Sequence, residues 1–409
     1  MTVITRERQA QAQKSLVIVF LIHGFVAASI IPRVPDIIRN LDVTFAHWGI
    51  ISAFGTVGSA AGLFLANRAL ERFGVKHVVM AAFGLVGLGN ASFGWLTDAN
   101  LYFVVNFLVS VFMSVFVIAV NSQSVVLQTL SGRVIIGRFH AAWSAGAATS
   151  AAVSGFLAAV LPVGIHMFLF TAVGLVVFYV VVRNLLSREE GLIAEGHTGE
   201  AAVGWRRMPK RVYLLGVGLA VGVFPEAAMW DWSSVYGREA LGYDPTRAAI
   251  PYAFFAIAMI VGRVLIDVIG KRVHVSQQAA IGGVLAAIAL TVSNLVGPNL
   301  VAHDGALGLI FVSVLWGFAG LGTAAMTPSF LGSAAIVSGM SAAAALTRMS
   351  VMQTVLIILM KFAMGQTAET SGIEAAYWLP VGMWIAASIV AFMVMRLSRR
   401  HHANQVSSN

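Results

Sequence analysis

The stretch Phe224 to Tyr236, FPEAAMWDWSSVY, places two carboxylates, Glu226 and Asp231, among tryptophans. The surrounding chain is 58% hydrophobic and only 11% charged. An acid held in such surroundings can load a proton from one side of a barrier and release it to the other. The two acids are five positions apart, about 140° round a helix, so they do not share one narrow face. Glu226 shares its stripe with Trp230 and Ser233, and this face is the expected solute-facing side. Pro225 removes a backbone donor and can bend the helix, which would bring Asp231 towards the same space. Glu226 is therefore the leading proton-coupling residue and Asp231 the conditional one.

Other chemistries find no support. The chain has no cysteine, which excludes disulfides and thiolates. Its 10 histidines show no HExxH or similar metal-ligand spacing, and no Walker pattern is present for ATP. No catalytic constellation, metal site or cofactor is expected, and the chain reads as no enzyme. The formal charge of +9 does not point to nucleic acid, because the basic residues sit mainly in short loops between apolar runs.

Those runs are the elements that must position the acids. Twelve segments near 20 residues, each able to cross a hydrocarbon core of about 30 Å, recur along the chain. They predict an all-α membrane protein with spans at 15–38, 45–67, 77–97, 100–128, 138–161, 165–186, 212–237, 247–269, 275–297, 305–331, 343–367 and 373–397. The first is expected to stay as a span, although Val26 to Ser29 looks like a signal-peptide cleavage site. A polar stretch, 187–211, separates the six spans of 15–186 from the six of 212–397 and reads as a cytoplasmic linker. Residues 1–14 and 398–409 form the ends. Most of the 26 Lys and Arg fall on the side that holds both termini, which makes that side cytoplasmic. The basic end of the linker is expected to meet membrane lipid headgroups.

Several other polar residues stand in or near the spans. Arg263 and Asp267 are one turn apart and can pair near the cytoplasmic end of the eighth span, as a gate. Arg33, beside Pro32 and Pro35, either holds an anionic solute group or snorkels to the interface. Lys361, deep in the eleventh span or at its periplasmic mouth, is a solute-binding candidate that could instead pair with a carboxylate, and Arg348 is a loop-proximal anchor. His23 is equally a packing donor or a relay, while His140 reads as an interface or gate residue. Asn121 and Gln123 of the fourth span are cavity candidates, although interhelical hydrogen bonding explains most such amides. Trp143, Trp230, Trp232 and Tyr252 could stack on a ring, and Trp230 is the preferred one. The 40 glycines read as close helix packing.

The halves echo each other. Glu71-Arg72-Phe73-Gly74-Val75-Lys76 follows the second span, and Asp267-Val268-Ile269-Gly270-Lys271-Arg272 follows the eighth; both run acid, x, x, Gly, x, base. Leu41 to Thr44 and Leu241 to Asp244 form a second echo. Such duplication is the architecture of many secondary transporters. On these residues the chain resembles the major facilitator superfamily, whose signature loop reads Gly-x-x-x-Asp-Arg-x-Gly-x-basic. The matching positions are Asn67, Glu71, Arg72, Gly74 and Lys76, with Asn for the first glycine and Glu for Asp. Within it the chain is similar to a bacterial inner-membrane subgroup of unsettled substrate. The similarity rests on His23-Gly24, Arg33-Val34-Pro35, Asn121-Ser122-Gln123, Arg138 to Ala142, Glu226, Asp231-Trp232-Ser233, Tyr236 and Gly262-Arg263. In the eleventh span, relatives tend to carry Gly-Pro where this chain reads Leu359-Met360-Lys361-Phe362. The resemblance implies two pseudo-symmetric six-helix bundles, with Glu71, Arg72, Lys76, Arg263 and Asp267 as gating residues.

The expected function is a secondary active transporter that moves a small polar organic solute by alternating access, with protons as the coupling ion and one chain as the working unit. Cations near the spans tilt the solute towards one with an acidic group, ahead of a sugar or drug-like compound. The alternatives are a proton-driven exporter of amphipathic or drug-like compounds and a non-transporting membrane receptor.

Overall fold

A computed structural model describes residues 4–132, 135–187, 190, 209–270, 272–337 and 342–407, with only the backbone described for Asp267 and for 335–337, 342–344 and 399–407. Most of the expected linker 187–211 lies outside the described residues. The described residues are almost wholly helical and include no strand.

In the first half, α1 (Arg6–Ala28) runs into a 3-10 turn at Ile31–Arg33 and a short α2 (Val34–Asn40). Pro32 and Pro35 both sit in first-turn positions, where a missing N–H costs nothing. There follow α3 (Phe45–Phe73), α4 (Val75–Ser92), α5 (Ala99–Ser131), α6 (Ile136–Ala158) and α7 (Val163–Val181). Gly74, the glycine of the acid-to-base turn, separates α3 from α4 at φ 75°, a conformation that side chains with a Cβ avoid. Asp98 caps α5 by accepting the Leu101 N–H.

The second half comprises α8 (Lys210–Val235), a π turn at Tyr236–Ala240, α9 (Pro245–Gly270), α10 (Val275–His303) and α11 (Gly305–Thr323). It continues through α12 (Met326–Val337), α13 (Ala342–Ser371), the single-turn α14 (Ile373–Ala376) and α15 (Trp378–Ser407). Pro225 lies inside α8 without ending it. Among the described residues, 11 segments are long and apolar enough to cross a membrane. The Ala-, Gly- and Ser-rich α6 is a further helix of 23 residues, in the place of the fifth span.

The chain forms two compact units, 1–43 with 54–201 and 44–53 with 202–409. The first turns of α3 thus belong to the second unit. Inside each unit the same pairings recur: first span with fifth (α1 with α6, α8 with α13), third with fourth (α4 with α5, α10 with α11), and third with sixth (α4 with α7, α10 with α15). This repetition makes the fold two pseudo-symmetric helical bundles.

Glycine sets the closest of these contacts. A Cβ on Gly24 would collide with the Trp143 carbonyl oxygen, and one on Gly146 with that of Leu21, so α1 and α6 meet backbone to backbone. In the second unit Gly282 and Gly322 hold α10 and α11 together in the same reciprocal way. Lipid tails are as apolar as the helices, so such packing replaces a hydrophobic drive. Gly146→Ala should destabilise the protein by about 1–3 kcal/mol, the range for overpacking. Gly137→Ala, on the same helix with open space around it, should be neutral or slightly stabilising. Thermal unfolding in detergent compares the two.

At the other end of α1, Arg8 grips Glu190 with two 2.8 Å hydrogen bonds, from Nε to Oε1 and from Nη2 to Oε2. The same guanidinium donates to the carbonyls of Asn184 at 2.6 Å and Leu185 at 2.8 Å, beyond the end of α7. Burial opposes the Glu190 charge, but the Arg8 hydrogen bonds and charge and the Ser187 N–H and hydroxyl outweigh it and hold the carboxyl below its ordinary 4.5. A depressed carboxyl pKa contributes stability that is present above the unfolded value and lost as pH falls through the folded one. Amide protection in the first turns of α1, corrected for the intrinsic pH dependence of exchange, should therefore be high at pH 6 and fall only below pH 4.5. Glu190→Gln should lower that protection at both.

Candidate functional site

The polar groups of the second unit gather along α8. Arg263 of α9 places Nη2 at 3.2 Å from both Oε1 and Oε2 of Glu226. The sequence spacing suggests Asp267 as a partner of Arg263; among the described side chains Arg263 pairs with Glu226, one helix away. A side chain with a long flexible stem reaches across a helix interface as readily as along its own helix. The Asp267 side chain lies outside the described residues.

One turn on from Glu226, the Trp230 ring meets Tyr252 of α9 edge to face, with centroids 6.1 Å apart. Tyr252 in turn stacks on Phe255 at 6.2 Å. The Tyr252 hydroxyl lies within the fields of Glu226, Asp231 and Arg263. Glu226 and Trp230 thus form one face of α8, and Tyr252 and Arg263 the matching face of α9.

Asp231 points elsewhere. Its Oδ2 accepts from Lys361 Nζ of α13 at 2.8 Å and from the Ser52 hydroxyl at 2.8 Å. Ser52 belongs to the part of α3 that groups with the second unit. There the Phe45 N–H also donates to Glu369 at 2.8 Å, and Gly49 packs against Gly365 so closely that neither position has room for a Cβ.

The two ion pairs differ in access. Asp231 and Lys361 are 17% and 16% exposed, whereas Glu226 and Arg263 are 31% and 41% exposed. Removing one partner of a buried pair costs about 3–5 kcal/mol, while an open pair is worth about 0–1. The Asp231 pair is the shorter and more enclosed of the two, and the Glu226 pair the longer and more open.

The Major Facilitator Superfamily model matches residues 16–336 of the chain. The chain belongs to this superfamily. An uncharacterized transporter, y4wD of Sinorhizobium fredii, is 27% identical over 382 residues, 92% of this chain and 96% of the relative. Multidrug resistance protein 2 of Bacillus subtilis is 23% identical over 305 residues, 70% of this chain and 76% of the relative. Among solved structures, a bacterial homologue of the human lysosomal transporter Spinster superposes with a TM-score of 0.71 at 13% identity, covering 97% of this chain and 99% of that one. A D-xylose-proton symporter gives 0.69 at 14%, covering 93% and 97%. These likenesses show the fold. The protein is a multi-pass transmembrane transporter of the Major Facilitator Superfamily and not an enzyme.

As a facilitator-fold transporter, it places its other sequence candidates as follows. Arg33 is 2% exposed, and its guanidinium donates five hydrogen bonds: to His166 Nδ1 at 3.0 Å, to Asp36 at 3.0 Å, and to the carbonyls of Ala158, Leu157 and Leu161 at 3.1, 3.2 and 2.6 Å. The three carbonyls lie at and just beyond the C-terminal end of α6, where unpaired oxygens favour a cation. With five donors committed, Arg33 neither snorkels nor offers an edge to a solute. His166 Nε2 continues the chain to the Ser154 hydroxyl at 2.9 Å, and Ser154 donates to the Ser29 carbonyl at 2.8 Å.

Gln123 is likewise occupied: Nε2 donates to the Leu186 carbonyl at 2.9 Å and Oε1 accepts the Leu186 N–H at 3.3 Å. His23 is buried between Phe116 and Trp143, with Nδ1 unpartnered among the described residues. Ser233 is buried, and Asn121 is half-buried on α5. Lys76 donates to the Arg183 carbonyl at 2.6 Å, and Arg72 lies 5.4 Å from the Phe73 ring centroid. No ion pair joins Glu71 to Arg72 or Lys76 among the described residues.

The residues that sequence reasoning missed are Ser52, Asp36, Ser154 and His166. Only His166 carried a signal, as an imidazole just inside an apolar run.

Lys361→Met should leave Asp231 charged and unpaired, lowering stability by about 3–5 kcal/mol. The double variant Asp231→Asn with Lys361→Met should recover most of that loss. Denaturation midpoints of the four proteins in detergent give the coupling directly.

Proposed function

We propose that the protein is a secondary active transporter that moves a small polar organic solute together with protons by alternating access, with Glu226 as the proton-carrying group. The observation that carries this reading is the open Glu226–Arg263 pair. A carboxylate turned towards lipid costs several kcal/mol, so an acid this exposed needs an aqueous path beside it. Its cation partner holds it ionised in one state, and loss of that partner lets it take a proton in another.

The 6 plus 6 span organisation supports a working pathway in one chain, in a bacterial inner membrane with both termini cytoplasmic. The D-xylose-proton symporter with the same fold supports proton coupling as an available mode. Asp231 with Lys361 and Ser52 serves in this reading as a lock that holds α8, α13 and the first turns of α3 together. With a neutral solute, one coupled proton and a potential of about 100 mV, worth about 2.3 kcal/mol, the carrier could concentrate the solute roughly fiftyfold. A second reading, export of amphipathic compounds, is favoured by the likeness to Multidrug resistance protein 2 and by the Trp230–Tyr252 pair.

In proteoliposomes, solutes that the wild type moves should drag protons with them, read by an internal pH dye. Glu226→Gln should abolish that proton movement by at least tenfold. Undiminished coupled flux in the variant would contradict the assignment.

A further inference from the structure

The contact between Arg263 and Glu226 is lopsided. A guanidinium that meets a carboxylate with its fork uses two nitrogens, giving two short parallel bonds of about 2.7–2.9 Å. Here one nitrogen, Nη2, spans both oxygens at 3.2 Å each. Among the described residues, Nε and Nη1 of Arg263 make no hydrogen bond, and the side chain is 41% exposed. A second binding edge of the guanidinium is therefore open, next to a partner held loosely. Arg33 shows the contrast within the same chain, with its five donors spent.

We infer that Arg263 is the anion-binding residue of the solute site and that the transported solute is a small organic carboxylate, its apolar body lying against Trp230. This deepens the proposed function and rests on it. The solute carboxylate takes the guanidinium fork and displaces Glu226. The freed Glu226 carboxylate then accepts one proton from water, Glu–COO⁻ + H₃O⁺ giving Glu–COOH + H₂O. Solute anion and proton leave together, so the cycle moves no net charge.

The surroundings fit a one-for-one exchange. The titratable and charged groups around Glu226 are Arg263 and Tyr252 on α9, Asp231 on α8 itself, and Lys361 on α13, which Asp231 already neutralises. Of the other helices packed on α8, α12 has no charged residue, and α15 has none before Arg396. Helix α13 also carries Arg348 and Glu369, the latter bound to the Phe45 N–H. Among the described side chains, the carboxylate hydrogen-bonded to Arg263 is Glu226, which an arriving carboxylate must displace. An amine-bearing solute would have to displace Arg263 from Glu226, and it would lose affinity when Glu226 is neutralised. A carboxylate gains, which gives the test its sign.

The experiment measures binding to the full-length protein in detergent by thermal stabilisation and tryptophan fluorescence. The probes are benzoate, phenylacetate and nicotinate, each paired with its amide, at pH 6 and pH 8. At least one acid should bind and its amide should not. Glu226→Gln should tighten that acid at pH 8 by tenfold or more and flatten its pH dependence, and Arg263→Gln should remove binding. Because Arg263→Gln leaves Glu226 unpaired, the double variant Glu226→Gln with Arg263→Gln keeps the face neutral; it should fold as the wild type and still not bind. The inference is overturned if no acid binds, if amides bind equally, if Glu226→Gln weakens the acid, or if the double variant retains it. A neutral solute whose proton-coupled flux needs Glu226 but survives Arg263→Gln would sink this inference and leave the proposed function standing. Absence of any solute-driven proton flux would sink the proposed function itself.

Discussion

Charge inside a membrane is tolerated only when it is answered. Hydrocarbon offers no partner to a guanidinium, ammonium or carboxylate, so each must find an opposite charge, a set of carbonyls or a path to water. The described part of this protein meets that constraint in three ways. Arg33 is answered by the carbonyls at the end of α6, with His166 and Asp36. Asp231 is answered by Lys361 and Ser52. Glu226 is answered by Arg263 through one nitrogen, with the rest of the guanidinium open.

These three solutions divide the labour. A guanidinium with its donors committed is a fastener: it ties the turn after α1 to α6 and α7. A short, enclosed pair carrying a second hydrogen bond, from Ser52, is a tie that joins three helices within the second unit. The open pair, longer and held through one nitrogen, is the one on which the proposed proton exchange rests. Glycine contacts serve the opposite end. The reciprocal close approaches at Gly24 with Trp143 and at Gly146 with Leu21 leave no room for a Cβ between α1 and α6 and bring the two backbones into contact.

Much of the fold was legible because its cause is local. Span lengths follow from bilayer thickness, the turn at Gly74 follows from a glycine that can take φ 75°, and the duplication follows from the repeated acid-to-base turn. The site was legible only in part. Glu226 with Trp230 could be placed on one stripe of α8 by periodicity. That Arg263 answers Glu226 could not, since the two lie 37 residues apart and local spacing favoured Asp267. Nor could spacing reveal that Ser52 meets Asp231 across 179 residues, or that Arg33 caps α6. Pro225 drew attention as a bend, yet α8 runs through it; the irregular turn falls later, at Tyr236–Ala240, where no proline marks it.

The central claim is that Glu226 exchanges its Arg263 partner for a proton when solute arrives. Infrared difference spectroscopy of the protein in detergent near neutral pH, with and without a bound acid probe, observes that carboxyl directly. The account predicts that binding converts one carboxylate signal into one protonated carboxyl signal and that Glu226→Gln removes the change. A bound solute that leaves every carboxylate ionised, or a change that persists in Glu226→Gln, would contradict it.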